Sequence, residues 1–173
     1  MHEICLDTSA YLLPCDNVPN NGKHQKQLID QRAIFRIKEL ANEGIVKLFI
    51  PANVHIECRQ HHDREKRSKA DEFWKAVKPE LIPQEIGFHG IQAAIGRDQE
   101  YKTALNQHEA ELAKLRDRSL DSSIILNSSF FGKTIVTSDY KRIKKIKRQL
   151  GSKVRVLRPS EFLASISQDI TKP

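Results

Sequence analysis

Three short apolar runs along the chain are each followed directly by residues that begin a helix. The runs are EICLD near the amino terminus, VKLFI at 46–50 and TIVT at 134–137. Runs of this length match β-strands, and strands that alternate with helices form parallel sheets, because each helix returns the chain to the edge where the next strand begins. The pattern predicts an α/β fold with a mostly parallel central sheet flanked by helices.

Helix caps, prolines and glycines set the expected bounds of the elements. The expected strands are 3–7, Val46–Ile50, Glu80–Pro83, 134–137 and Val154–Leu157. The expected helices are Ala10–Leu13, capped by Thr8 and Ser9 and broken by Pro14; about Gln27–Asn42, ended by a turn at Gly44; Pro51 to about Val77; about Asp98–Arg116; Ser119–Phe131; a basic helix after Asp139; and a helix that begins at Pro159. The polar stretch 15–25 is expected to be a loop.

Length and composition predict one domain over residues 1–173, with a long helical excursion at about 58–116. A chain of 173 residues can build a core without disulfides or a structural metal, and 39% hydrophobic with 29% charged residues is typical of globular proteins. No apolar run reaches the roughly 20 residues of a membrane span, and the amino terminus lacks the features of a signal peptide. We therefore expect a cytoplasmic protein that does not contact membranes. Its three cysteines form no CxxC pair, which favours reduced thiols.

The net charge of +7 predicts a polyanionic partner, and nucleic acid is the obvious one. Basic residues are concentrated on the helix after Asp139, where Ile143, Ile146 and Leu150 are spaced to face the core. The basic residues expected to face solvent and to bind the nucleic-acid backbone are Lys141, Arg142, Lys144, Lys145, Lys147 and Arg148. The alternative interpretation is a charged helix that serves solubility alone.

Four acidic residues lie where an apolar run passes into a helix, or in the first turns of that helix: Asp7, Glu57, Asp121 and Asp139. In an open parallel sheet, ligands bind in a crevice outside the carboxyl ends of the strands. Asp7 and Asp139 follow strands directly, whereas Glu57 and Asp121 reach the same crevice only if their helices begin beside it. Taken singly, each acid is also explained as a helix cap or a surface charge.

A shared carboxylate site would require a cation. Carboxylates brought within a few ångströms repel one another, and a divalent ion reverses that penalty. Oxygen ligands without histidine or cysteine suit Mg²⁺ or Mn²⁺ rather than zinc. Because such ions also bind phosphate oxygens and activate water, the predicted chemistry is phosphodiester hydrolysis.

The motifs DTSAYLL, IPANVHIEC and LDSSIILNSSFFGKTIVTSD, in this order, resemble those of the PIN-domain nucleases. The resemblance implies a PIN-like three-layer sandwich in which Asp7, Glu57, Asp121 and Asp139 bind Mg²⁺ or Mn²⁺ and cleave RNA, usually single-stranded, with metal-activated water. It also implies supporting roles for Thr8 and Thr137. The chain departs from compact toxin-type members in the long stretch between Glu57 and Asp121.

The resemblance leaves the branch of the family open among toxin, defence effector and RNA-processing enzyme. The partners it suggests are an RNA substrate, an antitoxin or other inhibitor protein, and a second copy of the chain in a homodimer. Two alternatives remain at this point. One is a non-catalytic module of the same fold that binds RNA or a partner protein, and the other is a nuclease directed at DNA.

Overall fold

The computed structural model describes residues 1–51, 54–55, 57–58, 61–82, 124–125, 128, 133–149 and 151–170, with the backbone alone for 168–170. The strands are β1 (His2–Leu6), β2 (Val46–Pro51), β3 (Glu80–Ile82), β4 (Thr134–Val136) and β5 (Val156–Leu157). The α-helices with defined bounds are α1 (Thr8–Leu12), α2 (Gln25–Asn42), α3 (Arg64–Trp74), α4 (Tyr140–Gln149) and α5 (Pro159–Ile170). Single 3₁₀ turns span Leu13–Cys15 and Gly22–His24.

The five strands form one sheet in the order β3-β2-β1-β4-β5, and every pairing is parallel. The α/β class and the parallel sheet predicted from the sequence are confirmed. The chain builds outward from β1 in one direction through β2 and β3, then returns to the other side of β1 for β4 and β5. The strand order therefore reverses between β1 and β4, which makes their carboxyl ends the topological switch point of the sheet.

Both faces of the central strand β1 are buried. Ile4 and Leu6 belong to the main core, while Cys5, between them, packs with Phe49 and Ile82 in a second cluster. Such an arrangement requires cover on both sides of the sheet, and it explains why the strand reads as a continuous apolar run instead of an alternating one. Among the described residues, no helix combines the length and the apolar character needed to cross a membrane.

Helix α2 ends as the sequence indicates. Gly44 has a φ of 73°, a conformation that glycine adopts without steric cost. The Gly44 N–H donates to the Ala41 carbonyl and the Ile45 N–H to the Leu40 carbonyl, at 3.1 and 2.9 Å. This pair of bonds is the Schellman motif, which satisfies the last carbonyls of the helix and turns the chain into β2.

Several predicted boundaries were wrong. Thr8 and Ser9 are not helix caps, since α1 begins at Thr8 and the residue at the cap position is Asp7. Pro51 does not begin a helix but ends β2, where it pairs with Ile82. The α-helix α1 ends at Leu12, close to the break predicted at Pro14, and the 3₁₀ turn Leu13–Cys15 follows it before the polar stretch.

The helix expected from Pro51 to Val77 is interrupted. Residues 61–63 are not helical, and Asp63 caps a new helix, α3, by accepting a hydrogen bond from the Lys66 N–H at 2.9 Å. The strand expected at 154–157 is limited to Val156–Leu157. The helix predicted at Asp98–Arg116 lies outside the described residues, as does most of the one at Ser119–Phe131. Within the stretch 58–116, the described part carries α3 and β3.

Candidate active site

Asp7 and Thr137 lie side by side at the switch point. Leu6 pairs with Val136 in the parallel ladder, and the Asp7 N–H donates a hydrogen bond to the Val136 carbonyl at 3.1 Å. The hydrogen bonding between the two segments therefore extends one residue beyond the end of β1. The first residue after β1 is therefore adjacent to the first residue after β4. Because Asp7 and Thr137 are 130 positions apart, the sequence alone does not show that they are neighbours.

The Asp7 carboxylate is buried, with 4% of the residue exposed, and it does not cap α1. Its Oδ2 atom accepts hydrogen bonds from the hydroxyls of Thr137, at 2.6 Å, and Ser9, at 2.9 Å. Burying a carboxylate is unfavourable unless it is hydrogen-bonded or paired with a cation. The capping interpretation of Asp7 is thus wrong, and the side chain is held toward the loop that follows β4.

The same two hydroxyls fasten the turn that carries Asp139. The Asp139 N–H donates to Thr137 Oγ1 at 3.0 Å and to Ser9 Oγ at 3.2 Å, and the Ser138 N–H donates to Ser9 Oγ at 3.1 Å. Because each hydroxyl gives its hydrogen to Asp7 and accepts from this backbone, both are oriented. Thr137 is fully buried, whereas Asp139 is exposed and directly precedes α4.

Glu57 is linked to the same segment through Thr8, whose hydroxyl donates to Glu57 Oε2. Val54 and Cys58, one helical turn apart, are buried in the core and leave Glu57 half-buried at its edge. The three consecutive residues after β1 therefore connect the three described acids. Asp7 is itself one of them, the Thr8 hydroxyl donates to Glu57, and the Ser9 hydroxyl accepts from the Asp139 N–H.

Cys58, next to Glu57 in the chain, is one of two buried thiols close to these acids. Burial, together with the negative charges of Glu57, Asp71 and Asp7, raises the pKa of the Cys58 thiol to about 12. Burial likewise raises the pKa of Cys5 to about 12, with a contribution from Asp7. Both cysteines are therefore neutral thiols near pH 7, and neither is an activated nucleophile.

Asp121, the fourth acid predicted from the sequence, lies outside the described residues. Within the described part of the chain, no three His, Cys, Asp or Glu side chains are grouped closely enough to hold a metal ion. The structure thus joins Asp7 and the Asp139 backbone in one hydrogen-bonded network, and Thr8, the residue after Asp7, holds Glu57 beside it. The four-carboxylate metal site remains a prediction.

The basic helix has the exposure that its pattern predicts. Ile143 is buried and Ile146 packs against the core. Lys144 donates a hydrogen bond to the Tyr140 hydroxyl at 2.8 Å and lies over its ring. The remaining basic residues face solvent fully or in part, and these are Lys141, Arg142, Lys145, Lys147 and Arg148.

Sequence reasoning missed the role of Ser9, which was assigned as a cap. A helix cap and a contact to the acid two residues earlier use the same residue types, Ser and Thr, so the motif DTS does not distinguish them. Only the position of β4 beside β1 shows that Ser9 makes the contact to Asp7 and is not a helix cap. No protein-family model matches this chain, and no curated protein shows significant similarity to it.

Proposed function

We propose that this protein is a Mg²⁺- or Mn²⁺-dependent endoribonuclease with a PIN-like fold. The observation that carries the proposal is the position of the Asp7, Ser9 and Thr137 network at the topological switch point. It holds one buried carboxylate and the turn of a second acid, Asp139, where open α/β sheets bind their ligands.

The donor set suits a hard divalent cation. Asp7, Glu57 and Asp139, together with Asp121, would offer carboxylate oxygens only. Neither Glu57 nor Asp139 forms an ion pair with a described residue, so no lysine or arginine there already compensates these two charges. When bound, the ion supplies Lewis-acid activation of water and neutralises charge on the phosphate.

The residues of the chain supply orientation. Thr137 and Ser9 hold the Asp7 carboxylate through two hydrogen bonds, and this fixed geometry lowers the reorganisation needed during the reaction. Glu57, held by Thr8, lies at the edge of the core, where it has access to solvent and can accept a proton from water. The basic face of α4 begins directly after Asp139 and attracts the phosphate backbone of the substrate.

The test is cleavage of end-labelled single-stranded RNA by the purified chain. We expect cleavage in millimolar Mn²⁺ that stops when EDTA is added in excess. A DNA strand of the same sequence is the parallel substrate. Cleavage of the DNA at the same or a higher rate would assign the protein to DNA, and binding of RNA without metal-dependent cleavage would indicate the non-catalytic alternative.

Thr137→Val should weaken the metal site without removing a ligand, because valine has the same shape but cannot donate the hydrogen bond that the Thr137 hydroxyl gives to Asp7. Loss of such a supporting partner costs about 10- to 100-fold in metal affinity. The measurement is the shift in melting temperature that Mn²⁺ induces, compared at several Mn²⁺ concentrations with the wild type. Thr137→Ser keeps the hydroxyl and is the matched control. If Mn²⁺ shifted the melting temperatures of Thr137→Val and Thr137→Ser equally, the Thr137 hydroxyl would have no role in the metal site.

A further inference from the structure

A groove of about 370 Å³ lies beside the turn that follows β4. Ser138 and Asp139 line the groove. It is also lined by Lys23 and His24 from the second 3₁₀ turn, Lys26 from the first turn of α2, and Arg158 from the segment before α5. The groove therefore joins the proposed site to a set of basic residues that is separate from α4.

The two lysines at the start of α2, Lys23 and Lys26, have no partner for their charge among the described residues. Lys23 and Lys26 are exposed, and neither forms an ion pair or hydrogen bond with a described residue. The first turn of α2 contains no acidic residue. Positive charge at a helix amino terminus is unfavourable by a few tenths of a kcal/mol or more for each residue, because it opposes the helix dipole. An anion bound in the groove would reverse that cost.

Arg158, which lines the groove, is held in place by Asp30. Its Nε and Nη2 atoms donate to Asp30 Oδ2 at 2.8 and 2.6 Å, and the Ser160 hydroxyl donates to Asp30 Oδ1 at 2.6 Å. Asp30 is fully buried. Since Arg158 compensates Asp30, the lysines add uncompensated positive charge, and among the described acids that line the groove only Asp139 opposes it.

We propose that this groove binds a backbone phosphate of the RNA strand, next to the phosphodiester that is cleaved. The inference rests on the proposed ribonuclease function. It adds to the basic helix α4 a second basic surface, which is formed by the start of α2 and by Arg158. A strand that passes Asp139 would then contact basic residues before and after the cleaved bond. Phosphate is the group recognised, because lysine ammonium groups and an anchored guanidinium offer donors without base-specific geometry.

The first experiment measures binding. The double variant Lys23→Ser, Lys26→Ser and the wild type are titrated with a fluorescent single-stranded RNA of 12 nucleotides in EDTA, over a range of salt concentrations. Each phosphate contact on a single strand contributes a slope of about 0.7 in log K against log salt, so loss of two contacts should lower the slope by about 1.4. The loss of affinity should be the same for RNAs of different sequence.

The control is the double variant Lys153→Ser, Arg155→Ser, which removes the same charge. Both residues are exposed and precede β5, so they lie toward the amino-terminal edge of the sheet, away from Asp139. Its salt slope should match that of the wild type. Equal slopes in the two double variants would overturn the groove, because they would show that the total charge of the protein and not its position determines binding.

The second experiment measures cleavage in Mn²⁺ with substrates of two lengths. On the 12-nucleotide RNA, Lys23→Ser, Lys26→Ser should raise KM and leave kcat unchanged. On a dinucleotide, which contains only the cleaved phosphate, the variant and the wild type should have the same kcat/KM. An equal defect on both substrates would contradict a separate subsite. If the wild type binds RNA but cleaves neither substrate, the ribonuclease proposal fails while the salt slopes still decide the groove; if it binds no RNA, both fail.

Discussion

Asp7→Asn is expected to lower kcat/KM for metal-dependent RNA cleavage by at least about 100-fold, because loss of a proposed ligand should cost no less than the 10- to 100-fold that loss of a supporting partner costs at metal sites. Such a loss corresponds to about 2.7 kcal/mol of transition-state stabilisation. The asparagine has nearly the same volume and can accept the hydrogen bonds that Thr137 and Ser9 donate to Asp7. What the variant removes is the negative charge, on which cation binding depends.

The measurement is the initial rate of cleavage of single-stranded RNA in Mn²⁺, together with a thermal melt that verifies folding. Glu72→Gln provides a matched control, because it makes the same carboxylate-to-amide change at an exposed position of α3, where Glu72 pairs with Lys75. We expect its rate to stay within twofold of the wild type. Cleavage by Asp7→Asn at the wild-type rate would sink the catalytic assignment and leave Asp7 with a structural role.

Asp30→Ala is expected to lower the free energy of unfolding by about 3 kcal/mol. Asp30 is fully buried, and its removal leaves the Arg158 guanidinium and the Ser160 hydroxyl without their acceptor. Removing one partner of a buried ion pair costs about 3–5 kcal/mol, and the lower end applies because the Arg158 side chain keeps 25% of its surface exposed. For a chain of this size, the melting temperature should fall by about 6–12 °C.

The control for Asp30→Ala is Glu39→Gln, which breaks an exposed ion pair on the same helix. Arg36 and Glu39 are at least half exposed, and such pairs contribute little in high dielectric. Its melting temperature should not differ measurably from that of the wild type. Similar melting temperatures for Asp30→Ala and Glu39→Gln would mean that α2 and α5 are held together without the Asp30 contacts.

Local pattern was sufficient for most elements that the structure describes. Strands β1, β2 and β4 are apolar runs bounded by turn or helix-start residues, and α2 is an amphipathic helix closed at Gly44. The errors fall where two local signals compete. Pro51 is favourable at a helix start but also tolerated at the end of a strand, and tertiary pairing with β3 decided between them.

The sequence predicted that Asp7, Glu57 and Asp139 would lie close together, but not the contacts that hold them or the role of Ser9. Asp7 and Asp139 follow strands, which is visible in the sequence, and the structure places their strands side by side. The contact between Thr8 and Glu57 joins residues that are 49 positions apart and could not be anticipated from spacing. Asp30 was not singled out at all, because an acid within a helical pattern resembles a solvated residue until its neighbours are known.

The sequence by itself determined the class of fold and the residue types of the site, since periodicity and turn chemistry are local properties that short segments carry independently. The tertiary structure decided which of those residues meet. The order β3-β2-β1-β4-β5 brings the end of β1 beside the end of β4, and so turns Asp7 from a residue at a cap position into a buried carboxylate held by Thr137 and Ser9. The physical reason is that strand order is set by how helices cover both faces of the sheet, which depends on contacts distant in sequence.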